Sequence, residues 1–457
     1  MTSLTQSLAA FVVKPEFGGF QKEAFDIAKL GFIDTIGTMI AGSSEPVVKI
    51  VLEHYALSSG GAQAPVPFAG LMKPVLQAAC LNATAGHALD YDDVALSGHP
   101  STVLVPALLA EGHHLGSSGL DVLRAYVVGY EIWAELIDRE VGKYHLKGWH
   151  PTGVFGTVAV AGAIAHLHKL DQPQAATALA ISASMASGLV ANFGTMTKPF
   201  HAGRAAANGI EAVWLAKLGM TAAPDVFEHS AGYLNALSIA GQVDTDSPAL
   251  RLGAKPRLLE AGLSIKRYPV CYSCHRTIDG MLSLIEKENI NADDVKRVTA
   301  TIGPAQASML RNHKPKTGLE AKFSIEFAIA SALIDRQVGL QQLTDAFVSE
   351  PAVQAQFEKV TTEINAEPCP LEPAFSITDR VQVELNDGRM LDSGEIRFPL
   401  GNSGNPMDEQ GMRLKFLDCH AFGLVHGAKI APSGHVLYER LAALPTFANL
   451  KELFNED

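Results

Sequence analysis

Residues 295–302 read Val-Lys-Arg-Val-Thr-Ala-Thr-Ile, and their apolar positions approximate a period of two. That is the spacing of a strand with one buried face. Residues 380–385, Arg-Val-Gln-Val-Glu-Leu, repeat the pattern and run into Asn-Asp-Gly at 386–388, a hairpin turn signal. A helical pattern at 321–335 lies between the two stretches. Together they predict a small α+β unit.

On both sides of this region the sequence predicts helices. Before residue 266 apolar side chains recur at helical spacing, and Gly-containing breaks separate the segments without a clear alternating strand. Two such series are Phe25, Ala28, Phe32, Ile36 and Met39, and Leu123, Tyr126, Val127, Tyr130, Ile132 and Leu136. Helical patterns return at 407–419 and 434–444. The predicted fold is therefore mainly α: a large all-helical domain from 1–265 and 402–457, with a smaller α+β domain, 266–401, inserted before the C-terminal helices.

Charge and motifs exclude several classes of function. A formal charge of −12 makes a nucleic-acid partner improbable, because binding phosphates requires a basic face. Neither a dinucleotide fingerprint after a strand nor a phosphate-binding loop with Gly-Lys-Ser/Thr is present. The chemistry is therefore expected from side chains or a metal.

The sequence also predicts a protein of the cytoplasm. Its five cysteines do not resemble a disulfide framework, and residues 1–14 lack the pattern of a secretory signal. The 26 residues 172–197 carry no charge, but they are dominated by Ala, Ser and Gly. They are therefore predicted to form a buried helix and not a membrane span.

The first candidate site is His-Ala-Leu-Asp-Tyr-Asp-Asp at 87–93 with Gly-His-Pro-Ser at 98–101. Three nearby carboxylates would raise one another's pKa if partly buried, which suits acid/base catalysis. Two alternatives are a solvated acidic turn at a helix end and a metal site, although the spacing matches no established metal motif.

Two further candidate segments carry potential cations. Gly-Trp-His-Pro-Thr at 148–152 places His150 before a helix whose first amides could hold an anion, unless His150 only bonds a carbonyl. Lys198, His201 and Arg204 follow the uncharged stretch. Lys198 could anchor a carboxylate, or it could simply extend to solvent.

The fourth segment is Lys-Arg-Tyr-Pro-Val-Cys-Tyr-Ser-Cys-His at 266–275. Its Cys-x-x-Cys-His formally matches covalent haem attachment, but no export signal accompanies it. The case for a zinc site is also weak, because a second ligand pair at suitable spacing is missing.

Taken in order, the strings HALDYDD with GHPS, GWHPTGVFGT, NFGTMTKPFHAGRAAANG and KRYPVCYSCH resemble the MmgE/PrpD family. That family includes 2-methylcitrate dehydratase, cis-aconitate decarboxylase and iminodisuccinate epimerase. The resemblance implies that the inserted α+β domain is a lid, that the protein is a homodimer, and that the active site lies in a cleft between domains. It also implies that no metal or organic cofactor is used.

The resemblance assigns roles to particular residues. Asp90, His99, His150 and Lys198 match the family's polar catalytic positions, and Lys266 matches a basic position where the lid meets the core. Lys198, Lys266 and His201 would hold substrate carboxylates, and Cys271 is a further expected substrate contact. His150 or Asp90 would move the proton, and His99 would act as the acid.

The expected activity is a lyase of the dehydratase type, acting on a small di- or tricarboxylate. Compared with the family's decarboxylases, Val94 replaces Thr, Cys271 replaces His and Phe327 replaces Tyr, which makes decarboxylation less expected. Two alternatives remain open: an epimerase of an amino- or imino-dicarboxylate, and a catalytically silent dimeric carboxylate-binding protein.

Overall fold

The computed structural model of the chain describes residues 3–57, 60–140, 142, 144–249, 251–370 and 375–455. The chain divides into two units, Met1–Leu263 with Asp408–Asp457, and Ser264–Met407. Among the described residues, no helix is long and apolar enough to cross a membrane.

The first unit is built almost entirely of helices. Up to residue 263 these are α1 (Leu4–Val13), α2 (Gln21–Gly42), α3 (Pro46–Ala56), α4 (Val75–Ala88), α5 (Ser101–Leu115), α6 (Gly119–Ile137), α7 (Tyr144–Lys147), α8 (Pro151–Leu167), α9 (Gln172–Met185), α10 (Thr197–Lys217), α11 (Tyr233–Leu237) and α12 (Arg257–Ala261).

The second unit contains α13 (His275–Glu288), α14 (Pro304–Met309), α15 (Gly318–Ala321), α16 (Ile325–Asp335), α17 (Asp345–Val348) and α18 (Pro351–Phe357). The chain then returns to the first unit with α19 (Glu409–Val425) and α20 (Gly434–Ala442). The predicted mainly α fold with a smaller α+β part is confirmed.

A short hairpin corrects the prediction of an all-helical first unit. Strand β1 (Ala64–Val66) pairs antiparallel with β2 (Leu71–Lys73). Each strand has only three residues, and β1 is buried at every position, so neither shows an alternating pattern. A period-two search cannot find strands this short.

The second unit contains one four-stranded sheet in the order β4-β3-β5-β6. Its strands are β3 (Val295–Ile302), β4 (Val360–Ile364), β5 (Arg380–Leu385) and β6 (Met390–Asp392). The sequence predicted β3, β5 and the turn before β6. It missed β4, a strand pairing parallel with β3 whose residues after Val360 are exposed.

Two predicted helices differ from the structure. The uncharged stretch 172–197 is helical only as far as Met185, and Gly188 and Gly194 then adopt positive φ angles of 143° and 81°. Ala186 is already extended, and glycine permits the turns that follow, so the stretch does not continue as one helix. The predicted helix at 321–335 begins instead at Ile325, because Ser324 caps it by accepting from the amide of Phe327.

Small residues let α10 approach two neighbouring helices closely. A Cβ added at Gly203 would lie 2.3 Å from Thr84 Oγ1 and 2.7 Å from the carbonyl oxygen of Cys80, both on α4. One added at Gly209 would lie 2.5 Å from Val160 on α8. This packing fixes the position of α10 and so of the lysine in its first turn.

Candidate active site

The loop between α4 and α5 carries three aspartates. Asp90, its first aspartate, has a left-handed φ of 53°, and Leu96 and Ser97 farther along have φ of 48° and 57°. Aspartate tolerates this conformation better than most residues. Asp90, Asp92 and Asp93 are all buried, so the alternative of a solvated acidic turn is wrong.

Asp90 forms an ion pair with Lys198 in the first turn of α10. Lys198 Nζ lies 2.5 Å from Asp90 Oδ1, and both side chains are 9% exposed. The ammonium is also 5.3 Å from the ring centroid of Phe193. Lys198 is therefore a buried, paired cation, which rules out the alternative that it extends to solvent.

Asp92 lies between two imidazoles. Its carboxylate is 2.9 Å and 3.0 Å from His87 Nδ1, and its Oδ2 is 3.1 Å from His99 Nδ1. The His99 contact is not aligned as an ideal hydrogen bond. Burial alone would raise the pKa of Asp92, but the two histidines hold it well below its usual value. Asp92 is therefore ionised.

Asp93 contacts a different set of groups. Its Oδ2 accepts from Ser101 Oγ at 2.7 Å, and that hydroxyl is 2.7 Å from Tyr126 Oη. Burial, with the nearby Asp34 carboxyl, raises the pKa of Asp93 well above its usual value. The predicted rise through burial and like charge is thus found at Asp93, and Asp92 behaves in the opposite way.

Lys415 of α19 supports the loop from the other side. Its ammonium donates to Asp34 Oδ1 at 2.5 Å and to the backbone carbonyl of Tyr91 at 2.9 Å. It also lies 4.0 Å from the centroid of the Tyr91 ring. A residue 324 positions later in the chain therefore holds the backbone between Asp90 and Asp92.

A second pair of imidazoles lies beside Lys198. His150 is the N-cap residue of α8, and its Nδ1 is 3.1 Å from Nδ1 of His201, three residues after Lys198 on α10. The ring centroids of His87 and His150 are 5.8 Å apart, and those of His87 and His99 are 4.5 Å apart. The four rings and the Asp90–Lys198 pair thus form one cluster.

Burial keeps most of these histidines neutral. It lowers the pKa of His150 well below the usual value and lowers that of His201 as well, with Lys198 adding to both shifts. Burial also lowers the pKa of His87 to about 3 and that of His145 to about 4. At neutral pH these rings can accept a proton, as a general base must.

The start of α8 contacts the loop that carries His99. The hydroxyl of Thr152 accepts from the amide of His99 at 3.2 Å. A Cβ added at Gly98 would lie 3.1 Å from the amide nitrogen of Thr152. The loop therefore lies close to this helix end, and the expectation that its first amides hold an anion stays a prediction.

Four groups of the cluster have the donor types of a metal site. His87, Asp90, Asp92 and His99 each offer one ligand atom, and these atoms lie within 4.8 Å of one another. However, Lys198 already neutralises Asp90, and Asp92 is shared by two imidazoles. A metal ion would have to compete with a bound ammonium, so the set fits proton transfer better than metal binding.

The structure brings together five of the predicted site residues: Asp90, His99, His150, Lys198 and His201. The other two, Lys266 and Cys271, are buried in the second unit, and their contact with substrate stays a prediction.

The sequence interpretation did not assign roles to His87 and Asp92. His87 and Asp92 lie within the quoted His-x-x-Asp-x-Asp-Asp string, so the signal was present in their spacing. Their pairing was not visible, because it depends on how the loop turns after α4.

Comparisons with known proteins cover both units. Residues 6–246 match the MmgE/PrpD N-terminal domain, and residues 268–429 match the MmgE/PrpD C-terminal domain. Human cis-aconitate decarboxylase is 27% identical over 430 residues, covering 91% of this chain and 87% of the relative. The mouse protein of the same name is 26% identical, with 91% and 86% covered.

A fungal relative shows similar coverage. Cis-aconitate decarboxylase of Aspergillus terreus is 26% identical over 427 residues, covering 86% of this chain and 84% of the relative. Decarboxylases are lyases, and this likeness supports the same broad class of enzyme, acting on a carboxylate, for the present chain. Since the two domain matches together span most of its length, the chain belongs to the MmgE/PrpD family.

Proposed function

We propose that this protein is a lyase of the dehydratase type, acting on a di- or tricarboxylate by removing a proton from carbon beside a carboxylate. The observation that carries the proposal is the buried Asp90–Lys198 pair next to imidazoles that burial keeps neutral. A fixed cation and an uncharged base are what carbanion formation beside a carboxylate requires.

Lys198 would bind the substrate carboxylate next to the reacting carbon. Its ammonium has three donors, so it can keep Asp90 and still bind a second oxygen anion. When the proton leaves, negative charge moves onto the substrate carboxylate, and the nearby ammonium stabilises it. Because Asp90 offsets the charge of Lys198, a second cation would help to hold a dianion, and Lys266 is predicted to supply it.

His150 is the proposed base. Its Nδ1 contacts His201 Nδ1 at 3.1 Å, so Nε2 is the nitrogen that would take the substrate proton. When Nε2 takes the proton, Nδ1–H can donate to His201 and share the positive charge. His201 would then support the base as well as contacting the substrate.

His99 is the proposed acid. Its Nε2 lies 3.9 Å from Asp90 Oδ1, so this side of the ring faces the Asp90–Lys198 pair. As the C–O bond breaks, His99 would give its proton to the departing hydroxyl, which leaves as water. The electrons of the broken C–H bond form the new double bond.

We prefer dehydration to decarboxylation because of three residues that differ from the family's decarboxylases. They are Val94, Cys271 and Phe327. Phe327 lies in an apolar cluster with Val348, Val353 and Phe357. At this position the chain therefore provides an apolar ring where those enzymes carry a hydroxyl.

The same cluster supports epimerisation as a second candidate. His150 and His99 belong to separate contact pairs, His150 with His201 and His99 with Asp92. If His150 removes a proton and His99 returns one to the opposite face, an amino- or imino-dicarboxylate would change configuration without loss of water.

The test is deuterium incorporation in heavy water with a panel of di- and tricarboxylates, followed by NMR. Exchange beside a carboxylate, with an alkene as product, would support the dehydratase, and exchange with a stereoisomer would support the epimerase. His150→Gln and Lys198→Met should each reduce the rate about 100-fold or more. His114→Gln, at an exposed histidine of α5, is the matched control and should keep the rate.

Binding without exchange or turnover across the panel would contradict the enzyme proposal. It would favour a catalytically silent carboxylate-binding protein. Size measurement in solution would separately test the predicted homodimer.

A further inference from the structure

Asp92 is the most enclosed charge of the candidate site, and no catalytic step uses it directly. Its side chain is fully buried between His87 from α4 and His99 of its own loop. A buried carboxylate without a partner would be strongly unfavourable. Its two partners therefore explain how it is tolerated, but they leave open what it does for the site.

The two oxygens of Asp92 do not contact the same histidines. His87 Nδ1 is 3.0 Å from Oδ1 and 2.9 Å from Oδ2, whereas His99 Nδ1 is near Oδ2 alone, at 3.1 Å. A carboxylate only accepts hydrogen bonds, so His87 Nδ1 carries a proton, and His99 Nδ1 would need one to donate to Oδ2. His87 is neutral, and its Nδ1–H fixes Asp92 without adding a second positive charge.

We propose that Asp92 is a positioning residue for His99: it binds the Nδ1 side of the ring and so directs Nε2 toward Asp90 and Lys198. The inference rests on the proposed role of His99 as the acid. A carboxylate at Nδ1 fixes the tautomer and orientation of an imidazole, and it stabilises the protonated ring that gives up a proton from Nε2.

The adjacent Asp93 provides a matched comparison. It is equally buried, but it contacts Ser101, and burial raises its pKa well above the usual value, which favours the neutral form. An asparagine replaces a neutral acid with little change in charge. Asp92→Asn and Asp93→Asn are therefore the same substitution at neighbouring buried positions, and only the first removes a charge beside His99.

In Asp92→Asn the new amide should reverse the tautomer of His99. The amide oxygen should take the Oδ1 position, since His87 needs an acceptor there. The NH₂ group would then face His99 Nδ1 and donate to it, which moves the ring proton to Nε2. We expect kcat to fall about 100-fold while KM changes less than about threefold, because the loss is in proton transfer.

The experiment combines kinetics with ¹⁵N NMR of the histidine rings, with His99 assigned from the signals lost in His99→Gln. Wild type and Asp93→Asn should both show protonated Nδ1 at His99 and rates within about threefold of each other, whereas Asp92→Asn should show protonated Nε2. An unchanged tautomer and rate in Asp92→Asn would overturn the proposal.

The wild-type spectrum tests the proposal even if Asp92→Asn does not fold. A ring of His99 with its proton on Nε2 in the neutral form would contradict the positioning role. The spectrum does not depend on turnover. A failure of the proposed function, seen as no deuterium exchange in wild type, is therefore distinguishable from a failure of this inference.

Discussion

Three aspartates within four positions of one loop have three different environments. Asp90 is paired with a lysine, Asp92 is ionised between two histidines, and Asp93 contacts a serine and has a pKa that burial raises. The sequence predicted that this segment carries the chemistry. It could not assign the partners, because Lys198 comes from a helix 108 residues away and His99 from the far end of the loop.

The pKa of His150 predicts how the reaction rate depends on pH. The base works only while neutral, so activity is lost as pH falls through the pKa of His150 in the folded protein. Because burial lowers that pKa, activity should persist below about pH 6.5, where an ordinary histidine becomes protonated. The measurement is kcat/KM between about pH 4 and 9, with folding monitored by circular dichroism. On the acidic side of the profile, a half-loss at or above about pH 6.5 would contradict the assignment of His150 as base.

Metal removal should leave the reaction intact. Lys198 already provides the positive charge beside Asp90, so the four-ligand set does not need a metal. Activity after prolonged treatment with EDTA and gel filtration should equal that of the untreated enzyme. Loss of activity that a divalent ion restores would instead assign these four residues to a metal site.

Among the helices, α10 matters most for the site because it carries both Lys198 and His201. The start of α10 was not predicted, because the sequence predicted the uncharged stretch 172–197 before it as one continuous helix. By contrast, β3 and β5 were predicted with their observed bounds, because alternation over six to eight residues is a strong signal.

Gly203→Ala tests how strongly the packing of α10 controls the site. The added methyl group would meet Thr84 and the backbone of Cys80, which cannot easily move, so α10 should shift away from α4. We expect a loss of about 1–3 kcal/mol in the free energy of unfolding. The rate should fall as well, because Lys198 moves relative to Asp90. Urea unfolding and steady-state kinetics measure the two effects.

Gly61→Ala is the control for that substitution. A Cβ there would meet only the side chain of Gln63, at 3.5 Å or more. Stability and rate should therefore stay close to wild type. Equal effects at the two positions would mean that close approach of α10 and α4 is not the cause.

At the scale of the whole molecule, the chain leaves the first unit at residue 263 and returns to it at residue 408. Spacing alone predicted helices in the returning segment. It could not show that Lys415 reaches the loop behind the site, because a single lysine in an amphipathic helix usually faces solvent.

Lys415→Met should destabilise the first unit. The substitution leaves Asp34 as a buried carboxylate without its cation, which costs about 3–5 kcal/mol when the charge remains. Burial raises the pKa of Asp34, so at lower pH this group takes up a proton and the loss should be smaller. Urea unfolding at about pH 7 and pH 5.5 measures the difference.

Lys451→Met, at an exposed position of the same returning segment, is the control and should change the unfolding midpoint little. Adding Asp34→Asn to Lys415→Met should recover part of the stability, because no buried charge is then left unpaired. A full loss in the double variant would show that Lys415 acts mainly through the carbonyl of Tyr91.

The return of the chain also sets an order of events during synthesis. The ribosome makes Asp90 and Asp92 early, but it makes Lys415 only after the entire second unit. Until then Phe416 cannot cover Gly37 on α2, and the carbonyl of Tyr91 lacks its ammonium. A nascent chain that ends before Lys415 and Phe416 therefore exposes apolar surface to chaperones. The contacts that hold its catalytic loop are completed only late in translation.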